Sequence, residues 1–268
     1  MRINNNIMAF NANRNLGNSN NALGKSLEKL SSGYRINRAG DDAAGLVISQ
    51  KLRAEIGGLK TASRNAQDGI SFVQTAEGGL AEVHNMLGRM RDLAVQGAND
   101  TNDAAARTAI FEEMTALNSE ITRIGADTTF AGSAVFGVAV NLQVGSEGTG
   151  TAGQITIAAT VAPAAVVIGA SIADAGEARA IIELTDTAIA TISAARGALG
   201  ATQNRLESTI NNLQVTTENL SASESRIRDT DMAAEMVNFT KNQILQQAGT
   251  AMLGQANSVP QSVLSLLQ

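Results

Sequence analysis

The feature that most constrains this chain is a pair of seven-residue ladders of apolar side chains, one in each half of the sequence. An apolar residue at every seventh position keeps one stripe of an α-helix against a partner helix over many turns, which is the pattern of a coiled coil. At about 1.5 Å per residue, the first ladder alone predicts a helix roughly 65 Å long. We therefore expect a mainly α fold built on long antiparallel coiled-coil helices. The ladder positions, taken as the coiled-coil core, are Leu52, Leu59, Ala66, Val73, Leu80, Leu87 and Ala94, then Ile192, Leu199, Leu206, Leu213, Leu220 and Ile227.

Both ends of the chain carry further apolar stripes at helical spacing. Residues 1–21 contain nine Asn, and each Asn is a poorer helix former than Ala by up to about 0.7 kcal/mol. We expect this segment to be helical only when it is packed, and Pro260 should bend or loosen the last helix. Neither stripe has an obvious partner within one chain except the other. The residues expected to serve self-assembly are Leu16, Leu23, Leu27, Leu30, Leu245, Met252, Val259, Val263 and Leu266.

Between the ladders the periodicity changes. Apolar spacing over residues 110–124 predicts a third helix that begins at a cap, either Asn102 or Asp103. Alternating apolar residues on the two sides of a Gly-, Ser- and Thr-rich turn at 145–153 predict a small β-hairpin. A further helix from about Glu177 leads into the second ladder.

Composition excludes several kinds of chemistry. The chain has no Cys and one His, so it has no disulfide framework, no thiol nucleophile and no metal cluster built on two His. Asp41 and Asp42 are interpreted as caps that open the first long helix, where carboxylates meet unpaired N–H groups. We predict no catalytic, cofactor-binding or metal-ligating residue and therefore no enzyme.

Charge and hydropathy bear on location and partners. A net charge of −5 argues against nucleic-acid binding, which needs clustered Lys and Arg. No run approaches the roughly 18 apolar residues of a membrane span. The first ten residues hold one basic residue and no continuous apolar core, so we expect any export to proceed without a cleaved signal peptide.

Four stretches near the two ends of the sequence form recognisable signatures. They are LSSGYRINRAGDDAAGLVIS (30–49), RDLAVQGAND (91–100), SRIRDTDMAAE (225–235) and QILQQAGTAMLGQANSVPQSVLSLL (243–267). Taken together and in this order, they resemble the terminal signatures of bacterial flagellins. The resemblance covers roughly residues 1–130 and 177–268, and Tyr34 stands where the family usually has Leu.

The resemblance implies a structural subunit that polymerises into the filament of the bacterial flagellum. It implies terminal helices at 1–40 and 231–268 that form an inner tube, and a long-helix core domain at 41–130 and 177–230. Residues 131–176 would then form an outer variable region that contains the hairpin. The resemblance also implies an extracellular location in the flagellar filament.

The resemblance also implies partners. These are many copies of the same chain, the flagellar export apparatus and a chaperone, the filament cap and the hook-junction proteins. A further hypothesis is recognition by the host Toll-like receptor that senses flagellins. The residues that match the family's receptor-contact pattern are Arg89, Leu93 and Gln96, at i, i+4 and i+7 of one helix, with Glu113.

Two alternatives to the filament subunit remain open at the level of sequence. A junction protein between hook and filament shares the helical termini, but it would not form long filaments by itself. A coiled-coil surface adhesin or scaffold would form stable dimers or trimers and no micrometre-scale polymer.

Overall fold

A computed structural model describes residues 6–146, 153–163, 165–166 and 174–265, with the backbone alone from residue 259 onward. The chain divides into two compact units, one within 1–56 and 218–268 and the other within 57–217. The expected class, mainly α with a small hairpin region in the middle, is confirmed. The elements are α1 (Ile7–Ser32), α2 (Ala43–Gly97), α3 (Ala104–Asp127), β1 (Thr129–Phe130), β2 (Ser133–Ala134), β3 (Val140–Gln143), β4 (Gln154–Ile157), α4 (Ala175–Arg228) and α5 (Met232–Ser265).

Carboxylate caps begin the internal helices. Of the two candidate caps for α3, Asp103 is the one used, and its side chain accepts from the Ala106 amide at 2.8 Å. Asp174 accepts from the Gly176 and Glu177 amides at 2.7 and 2.9 Å, so α4 begins slightly before the expected position. Each cap satisfies amide groups that a helix N-terminus leaves without intrahelical partners.

The expectation that Asp41 and Asp42 both cap α2 is wrong for Asp41. Asp42 accepts from the Gly45 amide at 2.9 Å, as a cap does. Asp41 instead turns back and accepts from the amides of Arg38 and Asn37 at 3.0 and 3.2 Å. These two bonds stabilise the carboxylate and lower the pKa of Asp41. Asp41 therefore closes the loop before α2, because the nearest free donors lie in that loop.

The core of the unit formed by residues 57–217 is built on the two ladders. Every ladder residue from Leu59 to Ala94 and from Ile192 to Leu213 is at most 7% exposed. Full burial of a Leu, Ile or Val side chain contributes about 1.5–3 kcal/mol, so these rows are the main stabilising feature of the unit. α3 adds Ile110, Met114 and Ile121 to the same cluster. The ladder positions that belong to the other unit, Leu52, Leu220 and Ile227, are half-buried.

Two antiparallel hairpins pack within the same unit. β3 pairs with β4 in a register that places Val140 opposite Ile157. Ile157 is 1% exposed, and Asn65 of α2 donates its side-chain amide to the Gln143 carbonyl at 2.9 Å. Residues 147–152 of the expected turn lie outside the described residues. The hairpin formed by β3 and β4 therefore lies against α2.

The first hairpin, β1 with β2, was not expected from the sequence. Its turn holds Ala131 and Gly132 at φ of 50° and 83°, both in the left-handed region. Phe130 contacts Phe72 edge to face, with ring centroids 5.8 Å apart. Strands of two residues are too short to produce an alternating pattern, so sequence periodicity gave no signal for them.

The segment after β4 is held against α3 by hydrogen bonds between its backbone and a side chain of α3. The Asn118 side chain donates to the Val166 carbonyl at 3.0 Å and accepts from the Val166 amide at 2.9 Å, as a neighbouring strand would. A Cβ on Gly125 would lie 2.7 Å from the Pro163 carbonyl oxygen. Gly125 is therefore required for this close approach.

Two matched glycine substitutions should shift the stability of the free subunit in opposite directions. Gly125→Ala forces the backbone at Pro163 to move, and overpacking of this kind costs about 1–3 kcal/mol, which outweighs the helix-propensity gain. Gly78→Ala, in α2, meets no atom within 4 Å and should gain about 1 kcal/mol from propensity. Thermal unfolding followed by circular dichroism should show a lower Tm for the first and a higher Tm for the second. Equal Tm values for the two variants would contradict this account of Gly125.

Candidate self-assembly surface

α1 and α5 lie side by side in opposite directions. At one end of the pair, the Asn6 side-chain amide donates to the Ala256 carbonyl at 2.8 Å. At the other end, Lys29 forms an ion pair with Glu235 at 3.8 Å. These contacts place the start of α1 beside the later part of α5. The Asn-rich first helix is thus packed on a partner, which its weak propensity requires.

The two helices approach each other through rows that mix small, polar and larger apolar residues. A Cβ on Gly249 would lie 3.2 Å from Leu16 Cδ1, so little space separates the backbones there. The less exposed row of each helix repeats at spacings of three and four, as expected for a helix face that is covered by a partner. The row on α1 is Ala9, Ala12, Leu16, Ser19, Leu23, Ser26 and Leu30, and the row on α5 is Glu235, Phe239, Asn242, Gln246, Gly249, Leu253 and Ala256.

Large apolar side chains of the same pair remain uncovered. Ten of them are between 45% and 70% exposed, and we call these residues the outer apolar set. Apolar exposure concentrated in this way marks an interaction surface in soluble proteins. The set comprises Ile7, Met8, Phe10, Leu27, Met232, Met236, Val237, Ile244, Leu245 and Met252.

The expected self-assembly residues divide between these two surfaces. Leu16, Leu23 and Leu30 belong to the row of α1 that faces α5. Leu27, Leu245 and Met252 belong to the outer apolar set. α5 continues as a helix through Pro260 to Ser265; the side chains of Val259 and Val263 are not described, and Leu266 lies outside the described residues.

Sequence reasoning missed the row of α5 that faces α1. The sequence predicted a self-assembly role for Leu245 and Met252 but did not identify the row that α1 covers, which mixes Phe239 and Leu253 with Glu235, Asn242 and Gln246. The signals for this row are the apolar residues Phe239 and Leu253 at helical spacing and the small residue Gly249, since glycine permits close helix approach at a cost of about 1 kcal/mol in helix propensity.

A short junction joins the chain segments at the base of the helix pair. Gly33 ends α1 with a left-handed φ of 75°, and its carbonyl accepts from the Thr230 amide at 2.9 Å. The Arg35 amide donates to the Arg228 carbonyl at 2.6 Å. Between these bonds, Tyr34 and Asp229 form an antiparallel bridge. The segments that follow α1 and α4 are therefore tied together by backbone hydrogen bonds.

Tyr34 is stacked within this junction. The guanidinium carbon of Arg228 lies 4.4 Å from the centre of the Tyr34 ring, and that of Arg53 lies 6.0 Å away. Glu224 pairs with Arg53 at 3.0 Å and with Arg228 at 4.0 Å. One carboxylate thus holds two cations against one ring, an arrangement that Leu at position 34 could not form.

The residues proposed to contact a host receptor do not share one surface. Arg89 pairs with Glu113 at 2.8 Å, and both side chains are about half exposed, at 56% and 45%. Gln96 is exposed as well. Leu93 is only 2% exposed and belongs to the core cluster. The expectation for Leu93 is corrected on this point: it lies only about 40° around the helix from Arg89, but the packed side of α2 already covers that position.

Among the residues that the structure describes, no group of three or more His, Cys, Asp or Glu is arranged to hold a metal ion. No helix within the described ranges combines the length and apolarity needed to cross a membrane.

A helical protein whose terminal helices pair and still leave an apolar surface uncovered has the features of a self-associating structural protein. Residues 3–139 match the bacterial flagellin N-terminal helical region, and residues 182–267 match the bacterial flagellin C-terminal helical region. The chain therefore belongs to the bacterial flagellin family. It is a structural subunit of the flagellar filament, which serves motility.

Individual relatives agree with this family. The chain is 50% identical to the flagellin of Halalkalibacterium halodurans and 47% identical to the flagellar filament 33 kDa core protein of Treponema phagedenis, with 100% of each chain covered. A solved structure of a putative flagellar hook-associated protein from Vibrio parahaemolyticus has a TM-score of 0.59 at 14% identity, covering 70% of this chain and 100% of that one. At that identity the likeness concerns the fold alone.

Substitution of Tyr34 should separate ring stacking from simple apolar bulk. Tyr34→Leu loses the aromatic face and with it about 1 kcal/mol of cation–π attraction, whereas Tyr34→Phe keeps that face. Hydrogen exchange of peptides spanning residues 33–38 and 228–231, measured in filaments, should be about fivefold faster in the Leu variant. The Phe variant is the matched control and should exchange at the wild-type rate. Wild-type exchange in both variants would show that the stacking does not hold the junction.

Proposed function

We propose that this chain polymerises by burying the outer apolar set of α1 and α5 against neighbouring copies of itself. The observation that carries this proposal is that Leu245 and Met252 are 45% and 63% exposed although their helix already has a partner in the same chain. A surface that fits a different surface on the next copy propagates as an open helix when the rotation between copies does not close into a ring. In this arrangement residues 1–40 and 231–268 form the inner tube, 41–130 and 177–230 form the surrounding core domain, and 131–176 face outward.

The size of the outer apolar set fits assembly by many weak contacts. Completing the burial of one half-exposed Leu, Ile or Met contributes about 1 kcal/mol at about 25 cal/mol/Å². Association itself costs about 4–15 kcal/mol in lost freedom of motion. A single side chain is therefore insufficient, and several members of the set must be covered together for a subunit to remain bound.

Further partners follow from the family. The chain is delivered by the flagellar export apparatus with a chaperone, and it is placed outside the cell between the hook-junction proteins and the filament cap. A role as a hook–filament junction protein or as a coiled-coil adhesin is distinguished by electron microscopy of purified subunits incubated with filament seeds. Long filaments support the proposal, and short junction-like segments, dimers or trimers contradict it.

The host Toll-like receptor for flagellins is proposed to bind the exposed side chains of Arg89, Gln96 and Glu113. Leu93 then acts by packing α2 beneath them, since it is buried. In a reporter-cell assay, Arg89→Ala should weaken signalling by removing a charged contact, whereas Arg64→Ala, an exposed arginine elsewhere on α2, should not. Equal signalling by wild type and Arg89→Ala would exclude this site.

A charge placed in the outer apolar set should block polymerisation and leave the free subunit folded. Leu245→Asp puts a carboxylate where a neighbouring copy would remove it from water, and an unpaired buried charge costs several kcal/mol. Seeded elongation, followed by sedimentation, should therefore fall by more than about tenfold. Gln247→Asp is the matched control, because Gln247 is an exposed polar residue of the same helix, and it should elongate far better. Circular dichroism should show the same helical content for both free variants; wild-type elongation of Leu245→Asp would overturn the proposal.

A further inference from the structure

The methionines of this chain differ in exposure according to the helix that carries them. The sequence has eight Met and no Cys. Met90 and Met114, in the unit formed by residues 57–217, are both 0% exposed. The exposed methionines among the described residues all belong to α1 and α5, and they are Met8 at 70%, Met232 at 47%, Met236 at 51% and Met252 at 63%.

Exposure decides which of these sulfurs a peroxide can reach. The thioether attacks one peroxide oxygen, so that an S–O bond forms and the O–O bond breaks. Sulfur is oxidised by two electrons to the sulfoxide, and hydrogen peroxide is reduced to water. Because the chain has no thiol, no cysteine of this chain competes for the oxidant.

The product changes the chemistry of the outer apolar set. A thioether is apolar and flexible, whereas a sulfoxide is polar and chiral and carries a strong hydrogen-bond acceptor. In the free subunit the new oxygen remains hydrated, so we expect oxidation to leave the fold unchanged. In an assembled copy the same oxygen would be removed from water against apolar side chains, which is unfavourable unless a donor is present.

We propose that Met8, Met232, Met236 and Met252 form a peroxide-sensitive modification site whose oxidation blocks assembly of the free subunit. This inference rests on the proposed function, because it requires the outer apolar set to be buried by neighbouring copies. The same burial predicts the converse effect: assembly shields the four sulfurs, so filaments are oxidised more slowly than free subunits. The modification is reversible where methionine sulfoxide reductases reach the free chain.

The test compares wild type with a variant in which all four residues are Leu. Leu is close to Met in volume and such swaps are well tolerated, but it does not react with peroxide. Both free subunits are treated with hydrogen peroxide, oxidation is mapped by mass spectrometry, and elongation from untreated seeds is measured. Wild type should carry sulfoxide at the four positions before Met90 or Met114, and its elongation should fall by about tenfold or more. The four-Leu variant should elongate as it did before treatment, and reductase treatment should restore wild type.

The outcomes separate this proposal from the assembly proposal. Full elongation by wild type oxidised at all four positions would overturn the modification site and leave the assembly surface to be judged by Leu245→Asp. Equal oxidation rates in filaments and free subunits would instead show that the outer apolar set is not buried on assembly, which overturns both. Loss of elongation in the treated four-Leu variant would assign the effect to other residues, Met1 or Met86, and also overturn the proposal. If the untreated four-Leu variant assembles poorly, the two double variants Met232→Leu/Met236→Leu and Met8→Leu/Met252→Leu serve in its place, each expected to keep part of the elongation.

Discussion

The polarity of α5 is the constraint on which the behaviour of the terminal helices depends. The row of α5 that packs on α1 mixes Phe239 and Leu253 with the polar residues Glu235, Asn242 and Gln246, and the other large apolar side chains lie elsewhere on the helix. Pairing within one chain therefore combines these apolar residues and the leucines of α1 with polar contacts, such as Asn6 with the Ala256 carbonyl. It leaves the outer apolar set uncovered. A helix with this distribution is most stable when further surfaces cover its other side.

The long helices and the hairpin of the middle region could be predicted because their signals are periodic. Seven-residue spacing identified the buried rows of α2 and α4, and alternation identified β3 and β4. Hydrophobic periodicity, however, shows only that a helix has an apolar face and not which partner covers it. The sequence predicts Leu245 and Met252 as apolar positions for self-assembly, but it does not show which row of α5 lies against α1.

The features that sequence reasoning missed depend on contacts between distant residues. The Tyr34 ring is close to Arg228 because the segments after α1 and α4 form a two-residue bridge, and no local pattern reports such a bridge. Asp41 was misassigned for a related reason: two adjacent carboxylates before a helix look equivalent, and only the loop geometry shows that one turns back to Arg38. Leu93 shows the same limit, since spacing on a helix does not say which of two neighbouring faces is buried.

The two compact units differ in how their stability arises. In residues 57–217, Val73, Leu80 and Leu206 are fully buried within the chain itself, so this unit does not require another copy to complete its core. In the unit formed by residues 1–56 and 218–268, Phe10 and Val237 are 69% and 68% exposed, so one chain alone does not bury them. Apolar surface that stays exposed when one chain folds can be buried when chains associate, and its burial then stabilises the assembly. Substitutions in the core of residues 57–217 should therefore act mainly on the melting temperature of the subunit. Substitutions in the outer apolar set should act mainly on the subunit concentration at which filaments grow.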